Sequence, residues 1–140
     1  MERPVVPGAY SDLMAWLTDG SYLGWEAETE VHPSTQGPNG VRIYLNSSLV
    51  QSLDTGASKH PVGAMGVREL YKSDLQTLDG FALAIKTRGD SSEAAQNWFW
   101  FEVFSLHEDS EPIIAEHGAQ GCASCHSEGV DFIRSTYPLR

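Results

Sequence analysis

The sequence has few cysteines and few basic residues, and it contains no long hydrophobic run. Two cysteines in 140 residues are too few for the disulfide framework that holds many small secreted proteins together. Lysine and arginine number 9 against 19 aspartates and glutamates, and the net charge of −10 repels nucleic-acid phosphates and anionic lipid headgroups. No apolar stretch approaches the length of a bilayer crossing. These shortages argue against a disulfide scaffold, a nucleic-acid partner and a membrane span.

The remaining composition is that of a folded globular protein. Hydrophobic residues make up 41% of the chain and charged residues 20%. A length of 140 residues fits a single domain with a core of its own. We therefore expect one domain over residues 1–140, in which residues 1–9, with two prolines, form an extended lead-in.

Both cysteines lie in one short motif, Cys122-Ala123-Ser124-Cys125-His126. Cys-x-x-Cys-His is the pattern of a c-type haem attachment site, in which two thiols bond to the porphyrin and the adjoining imidazole binds iron. The two-residue spacing lets a tight turn present both sulfurs along one porphyrin edge. We therefore expect one covalent haem c per chain, held by Cys122 and Cys125, with His126 as the proximal iron ligand.

Two other chemistries use the same residues. A structural zinc site would need two further ligands besides the cysteines, and these could come from His32, His60, His107 or His117. A simple dithiol or disulfide pair is the other alternative. A thioredoxin-like redox site is disfavoured, because it would lie near a βαβ pattern that this chain lacks.

The N-terminal sequence bears on the cellular location. Met1-Glu2-Arg3-Pro4 lacks the apolar segment of a secretory signal. Covalent haem is normally attached outside the bacterial cytoplasmic membrane. We therefore expect a periplasmic protein from which an export segment has been removed.

Hydrophobic patterning predicts a strand-rich domain with short helices. A helix is expected from a cap at Ser11 to Gly20, and a second from a cap at Asn46 or Ser47 through Asp54. Period-2 alternation and aromatic runs predict strands over residues 41–46, 65–71, 81–87 and 97–104. Residues 113–126 are expected to form a short helix or an irregular approach to the haem.

The strand over 81–87 has two unlike faces. One face is bulky, with Phe81, Leu83 and Ile85, and the other is small and ends in a cation, with Ala82, Ala84 and Lys86. Small side chains leave room either for a flat macrocycle or for the close packing of another element. The strand over 97–104 is aromatic on both faces, so its rings are core candidates first and haem neighbours second.

The order of elements separates this chain from common small cytochromes. Electron-transfer cytochromes with an N-terminal motif take a later methionine as the second axial ligand, and no methionine follows His126 here. Four-helix cytochromes need long stretches of helical periodicity, whereas the middle of this chain shows the period of strands. A β-rich domain with a C-terminal haem site remains.

At this point the chain resembles the cytochrome P-460 family and its relatives called cytochrome c′-beta. The motifs that carry the resemblance, in this order, are Tyr44-Leu45-Asn46, Pro61-Val62-Gly63-Ala64, Val67-Arg68-Glu69, Ile85-Lys86, Trp98-Phe99-Trp100 and the terminal Cys122 to His126 motif. The resemblance implies an α+β fold, mainly antiparallel β-sheet with short helices, and a haem whose proximal ligand is the motif histidine. It also implies binding of nitric oxide or hydroxylamine at the iron, either with oxidation of the ligand or without it.

Two departures from the family pattern bear on this chemistry. Members that oxidise hydroxylamine carry a lysine bonded to the porphyrin, but the usual Val-Lys-Glu is Val-Arg-Glu here, and Arg68 is a poor candidate for such a bond. Lys86 remains a candidate. The phenylalanine that often caps the iron in gas-binding members is His60, which could bind iron, donate a hydrogen bond to a bound ligand, or be an exposed loop histidine.

Charged residues complete the expected site. Arg68, Lys86 or Arg42 would pair with the haem propionates, unless they are surface cations. Glu69 and Glu102 are proton carriers if a substrate is oxidised, and are otherwise solvated at strand edges.

The function expected from the sequence is a periplasmic haem c protein that binds a small nitrogen-oxide ligand, with a partner cytochrome that accepts electrons if the ligand is oxidised. The sequence leaves the oligomeric state open, with a homodimer as one option. The alternatives are an electron carrier in which His126 and His60 both bind iron, and a zinc or dithiol interaction module.

Overall fold

The fold is a single antiparallel sheet with short helices against it. The computed structural model describes residues 10–33, 39–92, 94–107, 110–119, 126, 129, 131–133 and 139. Its strands are β1 (Glu26–Ala27), β2 (His32–Pro33), β3 (Gly40–Leu45), β4 (Met65–Tyr71), β5 (Leu78–Lys86), β6 (Trp98–Val103) and β7 (Ile114–His117). The helices are α1 (Tyr10–Thr18), α2 (Ser47–Asp54) and a 3-10 turn at Ala94–Asn97. The expected α+β class, mainly antiparallel sheet with short helices, is confirmed.

The seven strands form one sheet in the order β1-β3-β4-β5-β6-β7, with β2 also paired to β3. Every pairing is antiparallel. The four longest strands are those predicted from alternation and aromatic content. None of the helices in these described ranges is long and apolar enough to cross a membrane.

Three short strands were not predicted. β1 and β2 have two residues each and lie in a part of the chain for which no strand was predicted. β7 occupies part of the segment for which we expected a helix or an irregular path, so that expectation is wrong for Ile114–His117. A helix was disfavoured there because Gly118, at φ 63°, ends the segment, and β6 offers a free edge with which β7 pairs.

The second helix begins where its cap was predicted. The Asn46 side chain accepts a hydrogen bond from the Leu49 amide at 3.1 Å. The same oxygen accepts from the Met65 amide at 3.1 Å, and the amide nitrogen donates to the Gly63 carbonyl at 2.8 Å. Asn46 is buried, and these bonds join α2 to β4. The first helix begins at Tyr10, so Ser11 lies inside it and is not the predicted cap.

The sheet has two faces with different contents. We call one the α1 face, because α1 packs on it through Leu13, Met14 and Leu17. Its strand residues are bulky: Tyr44, Val67, Phe81, Leu83, Ile85, Phe99, Phe101 and Val103. Burial of each large side chain stabilises the fold by about 1.5–3 kcal/mol. The α1 face is therefore the main hydrophobic core.

We call the opposite surface the alanine face. By register it consists of Gly66, Arg68, Ala82, Ala84, Lys86, Trp98, Trp100 and Glu102. A second, smaller cluster forms on it, in which Leu49 of α2 and Ile133 near the C-terminus pack with Ala84 and the two tryptophans. The small side chains of β5 therefore lie beneath both α2 and the C-terminal segment.

Candidate functional site

Two tryptophans of β6 lie on the alanine face beside the small residues of β5. Trp100 is directly opposite Ala84, and Trp98 is directly opposite Lys86. Their side chains are 3% and 0% exposed, and the ring centroids lie 6.2 Å apart. Ala84 is itself buried and packs in the second cluster with Leu49 and Ile133. The two rings form one wall of the candidate site.

Both indole N–H groups are buried without an acceptor. Among the residues that the structure describes, neither Trp98 Nε1 nor Trp100 Nε1 has a hydrogen-bond partner. An unsatisfied buried donor costs about 1–3 kcal/mol. Their acceptors would therefore come from water, from residues outside the described ranges or from a bound group.

His126 lies against this wall. Its ring is half-buried and meets the Trp100 ring edge-on, with 4.8 Å between centroids. Its Nδ1 is 2.9 Å from the Phe132 carbonyl oxygen. A backbone carbonyl on one ring nitrogen is typical of metal-binding histidines, because it orients the ring and raises the basicity of the other nitrogen. In this arrangement Nε2 is the nitrogen that would bind a metal.

The segment after His126 adopts an unusual backbone. Asp131 and Phe132 both have positive φ, at 46° and 66°. Each non-glycine residue in this region costs on the order of 1–3 kcal/mol and persists only where its surroundings hold it. The Phe132 carbonyl meets His126, and the Asp131 carboxylate accepts two hydrogen bonds. Asp131 and Phe132 therefore supply an acceptor to each histidine of the site: the Phe132 carbonyl to the His126 ring and the Asp131 carboxylate to the His60 amide.

His60 is buried, so its interpretation as an exposed loop histidine is wrong. It is 2% exposed, and its ring lies edge-on to Trp98 at 6.3 Å between centroids. Its Nδ1 is 2.7 Å from the hydroxyl oxygen of Ser52 on α2. The alanine face thus has a histidine near each tryptophan, His126 beside Trp100 and His60 beside Trp98.

Lys86 joins the two sides through a buried ion pair. Its ammonium group is 2.5 Å from the Asp131 carboxylate and donates to the His60 carbonyl at 2.8 Å. The same carboxylate oxygen accepts from the His60 amide at 2.9 Å. The ammonium also lies 5.9 Å from the centroid of the Trp98 ring, within the range of a cation–π contact. These contacts make Lys86 an ionic tie between the His60 loop and the C-terminal segment, and they do not favour a bond from Lys86 to a porphyrin.

Arg68 lies on the alanine face but further along it. It is opposite Ala82, which is in turn opposite Glu102. Burial raises the pKa of the Glu102 carboxyl, and the Arg68 charge opposes that rise. Arg68 and Glu102 are both half-buried, so the solvation proposed for Glu102 is only partial. Arg68 lies about 13 Å along the sheet from Lys86 at the usual strand rise, and its role as a propionate partner stays a prediction.

Arg42 does not belong to the site. It is opposite Glu69 in the sheet and so lies on the α1 face. Its Nε donates to the Glu28 carbonyl at 2.8 Å, and its guanidinium lies 5.3 Å from the Tyr44 ring centroid. The proposed propionate role of Arg42 is therefore wrong.

Glu69 is buried, so the prediction that it is solvated at a strand edge is wrong. Its carboxylate is buried on the α1 face and accepts hydrogen bonds from three tyrosines, at 2.6 Å from Tyr22, 3.2 Å from Tyr44 and 2.7 Å from Tyr71. Burial raises the pKa of all three phenols, and the hydrogen bonds to Glu69 add to the rise. This cluster braces the core and lies on the face away from the two histidines of the site.

The remaining histidines are scattered. His32 contacts the Glu28 carboxylate at 2.9 Å near one edge of the sheet, and His117 contacts the Thr87 hydroxyl at 2.8 Å at the other edge. His107 is exposed. Within the described ranges, no group of three or more His, Cys, Asp or Glu side chains could hold a metal ion. The structure does not gather these histidines into the set that the zinc alternative needs.

Some predictions fall outside the described residues. Cys122 and Cys125 lie there, as does the lead-in over residues 1–9. The attachment geometry at the two sulfurs therefore stays a prediction from the sequence. His126 is described, and it lies within the same group of residues as His60 and Lys86.

Sequence reasoning missed Ser52, Asp131 and Phe132. Ser52 is a polar residue on a helix whose other inward positions are apolar, and this was the signal available for it. Asp131 and Phe132 gave no signal, because their roles depend on a left-handed backbone conformation that Asp adopts only occasionally and Phe rarely.

No protein-family model matches the chain, and a search of curated proteins finds no similar protein. The resemblance to the cytochrome P-460 family therefore depends on the short motifs alone.

Proposed function

We propose that the protein is a periplasmic mono-haem c-type cytochrome that binds a small nitrogen-oxide ligand, nitric oxide or hydroxylamine, at the haem iron. Cys122 and Cys125 would hold the porphyrin, and His126 would be the proximal ligand. One observation carries the proposal: His126, His60 and Lys86 lie around a wall of two tryptophans whose buried N–H groups have no acceptor among the described residues.

The described residues fit a haem in three respects. The Phe132 carbonyl orients His126 as a metal ligand requires. The indole N–H groups need acceptors, and haem brings two carboxylates. Arg68 places a cation on the same face, where it would balance one of those carboxylates, whereas Lys86 is already paired with Asp131.

When bound, the haem supplies an iron whose sixth position can take a small ligand. The chain contributes the surroundings of that position. Trp98 and Trp100 exclude water from the alanine face, and His60 lies beside Trp98 where it would meet a ligand. If the ligand is oxidised, electrons must leave to a partner cytochrome.

The second candidate function is an electron carrier in which His60 and His126 both bind iron. The burial of His60 next to Trp98 favours this candidate over a solvent-facing role for His60. A closed iron of this kind would bind no external ligand.

The visible spectrum of the purified protein separates the two functions. The first predicts a high-spin iron that becomes low-spin when nitric oxide is added, and the second predicts a low-spin iron that nitric oxide leaves unchanged. His60→Ala should open the iron only in the second case.

His117→Ala is the matched control, because His117 is opposite Phe99 and so lies on the α1 face. It should leave the spectrum unchanged. A His126→Ala protein that keeps the wild-type spectrum would contradict the proximal assignment.

A further inference from the structure

We infer that Tyr22 and Glu69 form a redox-active pair, in which a one-electron oxidant takes an electron from the Tyr22 phenol while the phenol proton moves to the Glu69 carboxylate. Two half-buried tryptophans, Trp16 and Trp25, carry the electron to the surface. The pair lies on the α1 face and uses none of the residues of the candidate haem site, so its chemistry is independent of the proposed function.

The Tyr22 hydroxyl has a proton acceptor already in place. It donates to Oε2 of Glu69 at 2.6 Å, which is the length of a charge-assisted O–H···O⁻ hydrogen bond. Tyr71 and Tyr44 donate to the other oxygen, Oε1, at 2.7 Å and 3.2 Å, so Tyr22 is the only described phenol on Oε2. A general base must lie within about 2.6–3.2 Å of the group whose proton it takes, and Glu69 meets that requirement.

Oxidation of Tyr22 must therefore be accompanied by loss of its proton. Tyr22 is 2% exposed, and burial, together with the hydrogen bond to Glu69, raises the pKa of its phenol, so the neutral phenol is the form that meets an oxidant. A phenol that loses an electron becomes a strong acid, and Glu69 is the base in contact with it. The products are a neutral tyrosyl radical and a protonated carboxyl group. The pair thus changes from one buried negative charge to none, which removes the cost of keeping a charge in the core.

Two tryptophans link Tyr22 to the protein surface. The ring centroids of Trp25 and Trp16 lie 5.5 Å apart, and those of Trp16 and Tyr22 lie 6.2 Å apart, both within the range of packed aromatic pairs. Both indoles are half-buried, whereas Tyr22 is almost fully buried. An oxidant at Trp25 can therefore draw the electron from Tyr22 in two short steps between neighbouring rings. The net charge of −10 attracts a cationic oxidant to this protein.

The other two phenols on Glu69 supply matched controls. Tyr44→Phe and Tyr71→Phe each remove one hydroxyl from the carboxylate, and each keeps the ring and the bond to Oε2. Tyr22→Phe also removes one hydroxyl and keeps the ring, but it takes away the group that is oxidised. A radical on Tyr22 therefore responds to one of three closely similar substitutions.

The radical is detected in the full chain after oxidation by a photogenerated ruthenium(III) polypyridyl complex, a cationic one-electron oxidant. Ring-deuterated tyrosine identifies a tyrosyl radical, because deuteration narrows its EPR spectrum. We expect this radical in the wild type, in Tyr44→Phe and in Tyr71→Phe, and its loss in Tyr22→Phe. A wild type without a tyrosyl radical, or a radical that persists in Tyr22→Phe, would overturn the inference. Far-UV circular dichroism checks that each variant is folded.

Glu69→Gln tests the transfer of the proton. The amide keeps an acceptor for Tyr22 but is a much weaker base, so the radical should form roughly 100-fold more slowly in transient absorption. Formation in the wild type should also be slower in heavy water, a readout that a purely structural role of Glu69 would not produce. A Glu69→Gln rate equal to that of the wild type, or a wild-type rate that is the same in heavy water, would overturn the role of Glu69 as proton acceptor.

Trp25→Leu tests the path of the electron. The substitution removes the outer indole and leaves the hydrogen bond between Tyr22 and Glu69 in place. The yield of the Tyr22 radical should fall. A yield equal to that of the wild type would overturn the route through Trp25.

Discussion

The buried ion pair between Lys86 and Asp131 gives the sharpest prediction about stability. Both side chains are almost fully buried, at 4% and 7% exposure. In Lys86→Met the carboxylate keeps only the bond from the His60 amide, at 2.9 Å, among its described contacts. The His60 carbonyl also loses its bond from the ammonium. Removing one partner of a buried pair costs about 3–5 kcal/mol, because the other charge stays buried without compensation.

That loss is large for a domain of this size. Total stabilities are about 5–15 kcal/mol, so Lys86→Met should remove about a fifth or more of the free energy of unfolding and lower the Tm by roughly 10–20 °C. Urea denaturation followed by tryptophan fluorescence measures the free energy of unfolding, and a thermal melt measures the Tm. Lys59→Met is the matched control, since Lys59 is exposed and adjacent to His60, and it should change stability by less than about 0.5 kcal/mol.

A double-mutant cycle tests the mechanism. Asp131→Asn removes the charge but keeps an acceptor for the His60 amide. The double variant Lys86→Met with Asp131→Asn should therefore be more stable than the sum of the two single losses predicts, by roughly 1–3 kcal/mol. A loss below about 1 kcal/mol in Lys86→Met, or additivity in the cycle, would refute the reasoning that one buried charge pair ties the His60 loop to the C-terminal segment.

Three further predictions follow from the same structure. Glu69→Gln should lower the free energy of unfolding by about 1.5–3 kcal/mol in urea denaturation, because the phenols of Tyr22 and Tyr71 lose a charged acceptor. The pKa of these phenols is raised in the folded protein above the unfolded value of about 10. Their contribution to the free energy of unfolding is therefore complete below pH 10 and is lost as the pH rises beyond it. Urea midpoints should fall above pH 10, and midpoints that stay constant would contradict the burial argument. Trp100→Phe should destabilise the haem-loaded protein more than the Cys122→Ser/Cys125→Ser chain, because both forms lose buried ring volume but only the loaded form would also supply an acceptor for the indole N–H. Equal losses in parallel thermal melts would count against that. Leu49→Ala should cost about 2–5 kcal/mol, whereas Val62→Ala at an exposed site should cost almost nothing by the same urea assay.

Local patterns predicted the parts of the fold that depend on neighbouring residues. The alternation of bulky and small residues in β5 placed Phe81 and Ala84 on opposite faces, as the structure has them. Asn46 or Ser47 was predicted to cap α2, since polar residues precede an apolar run, and Asn46 is the cap. Strands of two residues, such as β1, leave no such pattern because alternation needs several residues to be visible.

The candidate site depends on contacts between residues that are distant in the chain. The Asp131 carboxylate meets the His60 amide 71 positions earlier and Lys86 45 positions earlier, and no periodicity encodes such pairings. Glu69 was expected in solvent, because its burial depends on Tyr22, 47 positions away. Residue chemistry at His126 and Lys86 singled them out, but only the three-dimensional arrangement shows what each one contacts.

The central claim is that haem is covalently attached at Cys122 and Cys125, with His126 on the iron. Its most direct test is the intact mass of the full chain, produced behind a cleavable export signal in cells that carry out c-type haem attachment and then extracted with acid and organic solvent. We expect a mass increased by one haem, an increment that disappears in Cys122→Ser/Cys125→Ser and persists in His117→Ala. A mass equal to that of the bare polypeptide, or a stoichiometric zinc ion in place of haem, would contradict it.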